Sequence, residues 1–278
     1  MRVHHRAPAR LVFAAVLAAG AAACDQDPIE WKDPVELAGH DTLGRLVVDS
    51  AGRSSVVSAS ASPSVAPLND AVACPGSVRT VKGTTHTYAA WWGMRKDSAA
   101  TLFVSSASPS ASGDAAWAKP LAVDTTDVSS DGCDRPPPSV TTVGDDVFVA
   151  YSLYAPEGRG VFFAHTMGGM VHEPVPVVYG ERVVATAIAA QDQRVVVGYE
   201  EPNGTRRRID VALSENQGHS FGWHVPASRD VDMGRTPDVA LAGDHLAVSW
   251  MSVAAGDSVR FGAGGPATTR VVRTGRIK

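Results

Sequence analysis

The run Arg135-Pro136-Pro137-Pro138-Ser139-Val140-Thr141-Thr142-Val143-Gly144-Asp145-Asp146-Val147-Phe148-Val149-Ala150-Tyr151 alternates apolar segments with turn residues. After the prolines comes a short apolar run, Ser139 to Val143, and then a turn at Gly144-Asp145-Asp146. Val147 to Tyr151 is β-branched and aromatic. A second turn, Pro156-Glu157-Gly158, leads into Gly160-Val161-Phe162-Phe163-Ala164, and the unit closes on Pro174-Val175-Pro176-Val177-Val178. Short runs of this composition, punctuated by Gly, Pro and Asp, read as four antiparallel strands joined by hairpins.

The same order of parts returns along the chain. Val147-Phe148-Val149-Ala150-Tyr151 has counterparts in Val195-Val196-Val197-Gly198-Tyr199, Leu246-Ala247-Val248-Ser249-Trp250 and, more loosely, Thr87-Tyr88-Ala89-Ala90-Trp91. Each ends on an aromatic, and the runs start about 48 to 60 residues apart, a spacing that suits four-stranded propeller blades. One such sheet cannot bury both faces alone, so neighbours must stack around a centre. A sandwich also spaces short strands regularly, but has no reason to repeat a four-strand order. The expected fold class is therefore all-β: a β-propeller of four-stranded antiparallel blades, about five in number with six as the upper count.

The 278 residues, 44% hydrophobic, supply enough core for one propeller, and a net charge of −4 favours no nucleic-acid surface. Arg2, Arg6 and Arg10 precede the apolar run Leu11 to Ala19, and small residues lead to Cys24. That pattern reads as a signal peptide over residues 1–23. The Cys after small residues resembles the lipobox of bacterial lipoproteins, with Ala21 where that family usually has Leu. The resemblance implies lipidation of Cys24 and a membrane held by a lipid anchor at the bacterial cell envelope; cleavage without lipidation is the alternative. Polar, Pro-bearing residues 24–36 then read as a tether, and 37–278 as the propeller.

Leu43 to Asp49 and Ser54 to Ser60 read as two strands of an incomplete first blade, and Ser58 to Pro67 as a surface loop. Better-formed blades follow over about Ser77 to Val123, the opening unit, Val183 to Pro226 and Thr236 to Arg273. An N-terminal strand pairing into the last blade would close the ring. Cys74 and Cys133 precede the first strands of successive blades, where equivalent positions lie side by side near the axis. A disulfide between them is expected in an exported protein; a free, buried pair is the alternative.

Ser214-Glu215-Asn216-Gln217-Gly218-His219-Ser220-Phe221 falls between the third and fourth strands of its blade. It resembles the Asp-box of the sialidase (BNR/Asp-box repeat) superfamily, with Ser214, Asn216, Gly218, Ser220 and Phe221 at the box positions. Decayed copies lie around Ser112 to Trp117 and Thr166 to Gly169. In that superfamily the box is a structural turn, its polar side chains bonding the backbone and its aromatic packing beneath. The resemblance also implies an arginine triad that clamps a carboxylate, a Tyr nucleophile helped by a Glu, and an Asp acid/base. Arg135, Arg182 and Arg235 recur just before the first strands of three blades, and planar guanidinium groups suit such a clamp. Local pairing with Asp134, Glu181, Asp230 and Asp232 is the competing reading of all three. Tyr179, beside Glu181, is the tyrosine best placed for a nucleophile, and Asp134 or Asp131 for an acid/base.

No metal or cofactor site emerges: there is no H-E-x-x-H, no C-x-x-C, no Walker-type loop and no G-x-S-x-G, and the histidines are scattered. Arg206-Arg207-Arg208 reads as a solvated turn. The expected activity is binding of a glycan or other carboxylate-bearing ligand, or a protein partner, at the axial mouth. An exo-α-sialidase or related glycoside hydrolase, and a surface scaffold without catalysis, are the alternatives.

Overall fold

A computed structural model describes residues 27–37, 44–57, 73–108, 116–203, 207–229, 233–253 and 268–278. The expected signal peptide, the lipidated Cys24, the Ser58 to Pro67 loop, most of the decayed box near Ser112, Arg206, Asp230 and Asp232 lie outside those residues. Every regular element among the described residues is a strand, so no helix there is long and apolar enough to cross a membrane.

The strands form five antiparallel sheets. The first in chain order is the hairpin β3 (Arg45–Val48) and β4 (Ser54–Val57). The next runs β5 (Arg79–Lys82), β6 (Thr87–Met94) and β7 (Ala100–Ser108), with β8 (Ala116–Trp117) and β9 (Leu121–Asp124) both on β7. The quoted stretch becomes β10 (Ser139–Val143), β11 (Asp146–Ala155) and β12 (Gly158–Met167), with β13 (Met170–Val171) and β14 (Val175–Gly180) on β12. A regular four-stranded blade follows: β15 (Thr186–Gln191), β16 (Arg194–Glu200), β17 (Ile209–Ser214) and β18 (Trp223–Pro226). The last blade has β19 (Met233–Ala242), β20 (His245–Val253) and β21 (Thr268–Ile277). Its outer positions go to β1 (Ile29–Trp31) and β2 (Val35–Leu37), both paired with β21.

The chain is a β-propeller, and its ring is closed by N-terminal strands. Innermost strands meet in the order β5, β10, β15, β19 and β3, and all five line one central cavity. The closure corrects one expected boundary: residues 24–36, read as a tether, contain β1 and most of β2. Ile29 explains why. Its side chain is buried among Val248, Trp250 and Ile277 of the last blade, and β21 would otherwise present an unpaired edge.

The repeat survives in the turns as well as in the strands. The tight turns after β10, β15 and β19 place Gly144, Asp192 and Gly243 at positive φ (64°, 54° and 61°). Gly and Asp are among the few residues that tolerate that conformation. Second strands are buried on both faces and so read as unbroken apolar runs rather than alternating ones. Tyr151, Tyr199 and Trp250, the aromatics ending them, are each 1% exposed.

The core is a set of blade-to-blade interfaces. One packs Trp92, Leu102 and Val104 against Val149, Tyr151 and Phe162. The next packs Phe148 and Phe163 against Val195, Val197 and Tyr199. A third joins Val196, Val211 and Leu213 to Val239, Val248 and Trp250. The β3–β4 hairpin seats Leu46 against Ala247 and Val272. Cys74 and Cys133 are disulfide-bonded and tie the segments that lead into β5 and β10.

The turn from Ser214 to Phe221 shows how a short polar motif holds one of these interfaces. The Ser214 hydroxyl accepts from the Gly218 amide at 2.9 Å, and the Asn216 carbonyl oxygen accepts from the Ser220 amide at 3.0 Å. Phe221 packs edge-on to Phe163 of the preceding blade, ring centres 5.3 Å apart. Gly218 sits at φ 88°, and a Cβ there would lie 2.1 Å from the Phe163 ring. Gly218→Ala combines left-handed strain with overpacking against a fully buried ring. It is expected to cost about 2–3 kcal/mol in urea unfolding; a loss below about 0.5 kcal/mol would show that the turn yields freely.

Candidate functional site

The axial cavity, of about 1110 Å3, is lined by the first strands of the blades and the segments that lead into them. Its charged lining residues are Arg45, Arg79, Lys82 and Asp238. The three cations are exposed, whereas Asp238 accepts from the Leu46 amide at 2.7 Å and from Arg270 at 3.0 Å. Arg79 is steered by its own backbone, Nη1 donating to the Gly76 and Val78 carbonyls at 3.0 and 2.8 Å. Partial burial nudges its pKa down, but an arginine stays charged at neutral pH. Hydroxyls fill much of the remaining wall: Thr80, Thr87, Ser139, Thr141, Thr142 and Thr186. Some are already used, Ser139 bonding the Thr186 carbonyl and Thr142 the Lys82 carbonyl. The result is a cation-bearing, hydroxyl-rich cavity in which the one carboxylate among the described lining residues is engaged.

The expected arginine triad does not line this cavity. Arg135 is consumed internally: its side chain is 1% exposed and donates to Asp127 at 2.8 Å and Ser129 at 2.7 Å. It also stacks over Trp92, 4.8 Å from the ring centre. Its partner is thus Asp127 and not the adjacent Asp134. Arg182 donates to the Glu201 and Pro202 carbonyls at 2.9 and 3.4 Å, pinning a loop of the following blade. Arg235 alone of the three is exposed, on β19 beside the cavity-lining Thr236. Thr236 has φ 46°, at an irregularity in the β19–β20 pairing between Arg235 and Asp238.

The expected catalytic trio does not line the cavity either. Tyr179 is exposed near the end of β14, edge-on to Phe162. Three strands separate β14 from the axis side, roughly 14 Å at the usual strand spacing. Glu181 is exposed, and its amide donates to the Pro202 carbonyl at 3.2 Å. Asp134 is exposed in the loop before β10, its amide bonded to Asp131. The basic run is not a solvated turn in its described part. Arg207 pairs with Glu200 at 3.1 Å and Arg208 with Asp210 at 2.6 Å, and both carboxylates are buried.

Histidines scattered in sequence are not all scattered in space. His165, His172 and His219 come together with ligand-capable atoms within 4.8 Å of one another. Burial and the two neighbouring imidazoles push the His165 pKa down to about 4. The sequence held one signal of this. By strand register, His165 stands opposite Phe148 where Leu213 stands opposite Val196 in the next blade. A titratable group at an apolar repeat position marks a departure from pure packing.

No protein-family profile matches the sequence, and no curated protein matches it. Solved structures similar in shape include an exo-1,5-alpha-L-arabinanase from a bovine ruminal metagenomic library. Identity there is 8%, the match covers 70% of this chain and 72% of that one, and the TM-score is 0.43. A thermostable family-43 glycoside hydrolase has 12% identity, coverage of 72% and 70%, and a TM-score of 0.40. For a xylan beta-1,4-xylosidase from Bacillus halodurans C-125 the values are 9%, 73% and 42%, and 0.41, so the chain spans less than half its length. At such identities and scores these likenesses carry no functional argument, and none of the three is described as a sialidase.

Proposed function

We propose that the protein is an exported, lipid-anchored β-propeller that binds a carboxylate-bearing glycan in its axial cavity without hydrolysing it. The observation that carries this reading is the charge pattern of the cavity wall. Arg45, Arg79 and Lys82 line the space, and Asp238, the only carboxylate among the described lining residues, is already paired with Arg270. Exposed cations among hydroxyls suit an acidic sugar, guanidinium to carboxylate and hydroxyl to hydroxyl. Glycoside hydrolysis ordinarily needs two carboxylates, or a tyrosine with its acid partners, around the scissile bond. The described lining residues offer no such set. The Asp-box turn supports kinship with the sialidase-like superfamily, and a disulfide suits the oxidising compartment implied by Cys24 and the segment before it.

The test is an array of acidic and neutral oligosaccharides, read alongside a fluorogenic sialoside assay. Acidic members such as sialylated or galacturonate-containing glycans are expected to bind, and the neutral ones to bind poorly. An Arg79→Ala/Lys82→Ala pair should weaken the best acidic ligand at least tenfold, and binding should fall with added salt. Equal binding of neutral glycans, or an unchanged affinity in the double variant, would remove the cavity from consideration. Turnover of the sialoside would favour the hydrolase instead.

A further inference from the structure

We propose that His165, His172 and His219 form a binding site for one divalent transition-metal ion of the zinc class, clipping the outer turns of two adjacent blades together. His165 belongs to β12, His172 to the segment just after β13, and His219 to the Asp-box turn of the next blade. The site lies outside the axial cavity, and its success or failure is independent of glycan binding.

Two observations carry the assignment. The first is convergence: His172 stacks on His165 with ring centres 4.6 Å apart, and His219 meets His165 edge-on at 5.0 Å. The second is an unmet polar group. His165 is 2% exposed, wedged against Phe148 and Phe163, and neither of its ring nitrogens has a hydrogen-bond partner. A neutral imidazole buried with both nitrogens unsatisfied is costly, because each has lost its bond to water. A metal ion would satisfy the lone pair.

The distances fit a site that closes on its ion. Zinc–nitrogen bonds of about 2.0–2.1 Å in tetrahedral geometry place donor nitrogens roughly 3.3 Å apart. The present separations, up to 4.8 Å, must shorten by about 1.5 Å, within reach of side-chain rotation. Only His165 is locked by packing. His172 is half-buried and His219 exposed, and His172 follows a turn with Gly168 and Gly169 at φ 57° and 81°. The His172 amide bonds the His165 carbonyl at 3.0 Å, which keeps two of the three rings in step. Three imidazole donors would leave a fourth tetrahedral position for water. Imidazole donors select zinc, copper, nickel or cobalt over calcium and magnesium.

The experiment uses the purified full chain, stripped with a chelator and titrated with ZnCl2 by calorimetry, with Co2+ absorbance as a report on geometry. One ion per chain should bind, with weaker affinity at pH 5 than at pH 7 as protons compete for the rings. Saturating zinc should raise the Tm by roughly 5 °C. His165→Ala creates a buried hole and risks misfolding, so the decisive variants are His172→Ala and His219→Ala on the turns. Each should lower zinc affinity at least tenfold and remove the Tm shift. Absence of saturable zinc binding by the full chain overturns the proposal, as does undiminished binding in both variants. In either case the three rings serve as packing alone.

Discussion

Asp127→Ala lowers the stability of the folded protein by about 3–5 kcal/mol, the usual cost of stripping one partner from a buried ion pair. Asp127 and Arg135 side chains are each 1% exposed and 2.8 Å apart. The Asp127 carboxylate also accepts from the Ala100 amide at 2.7 Å, the Ser129 hydroxyl at 2.9 Å and the Tyr154 amide at 3.4 Å. It thus gathers the start of β7, the end of β11 and the loop before β10 onto one group. Without it, Arg135 keeps only Ser129 and the face of Trp92, with Nε and Nη1 already lacking partners. Arg135→Met should cost less, because the carboxylate retains three neutral donors while the methylenes stay packed. Urea denaturation of both variants checks the order, and a costlier Arg135→Met would overturn this account. Glycan affinity should survive Arg135→Met, since that guanidinium does not face the cavity.

The double variant Cys74→Ser/Cys133→Ser is expected to lose about 4 kcal/mol and roughly 10 °C in Tm. The bond spans 59 positions, and opening a loop of that length returns substantial conformational freedom to the unfolded chain. The folded side changes less. Cys74 is buried, and its amide bonds the Trp92 carbonyl at 2.7 Å whether or not sulfur is present. Adding reductant to the wild-type protein should reproduce the destabilisation. A loss below about 1 kcal/mol would mean that the reduced unfolded chain already holds the two segments together.

The repeat made the blades legible because each second strand is apolar on both faces and each turn needs Gly or Asp at one position. Blade limits read from Val147, Val195 and Leu246 lie close to the strands observed. The turn from Ser214 to Phe221 was readable for a related reason, since its bonds join near neighbours. Binding chemistry was not readable in the same way. Arg135, Arg182 and Arg235 stand at similar points of the repeat, yet side-chain direction depends on which acceptors lie across the sheet. Asp127 captured one, loop carbonyls captured another, and only Arg235 was left outward. The cavity's own cations, Arg45, Arg79 and Lys82, come from a hairpin and a short strand that carry no motif. His172 and His219 lie 47 positions apart, and only the stacking of two blades reveals that they are neighbours.

The pairing of β1 with β21 joins Ile29 to Ile277. That ladder cannot form until β21, which follows every other described strand in the chain, has been made, so this sheet matures after its predecessors. Until then β1 and β2 wait without a partner and the edge of β20 that will receive β21 stays bare, a template for strands of other molecules. Chains released together at high concentration should therefore be most prone to exchange this one segment, giving swapped dimers in which each ring is sealed by its neighbour's leading strand.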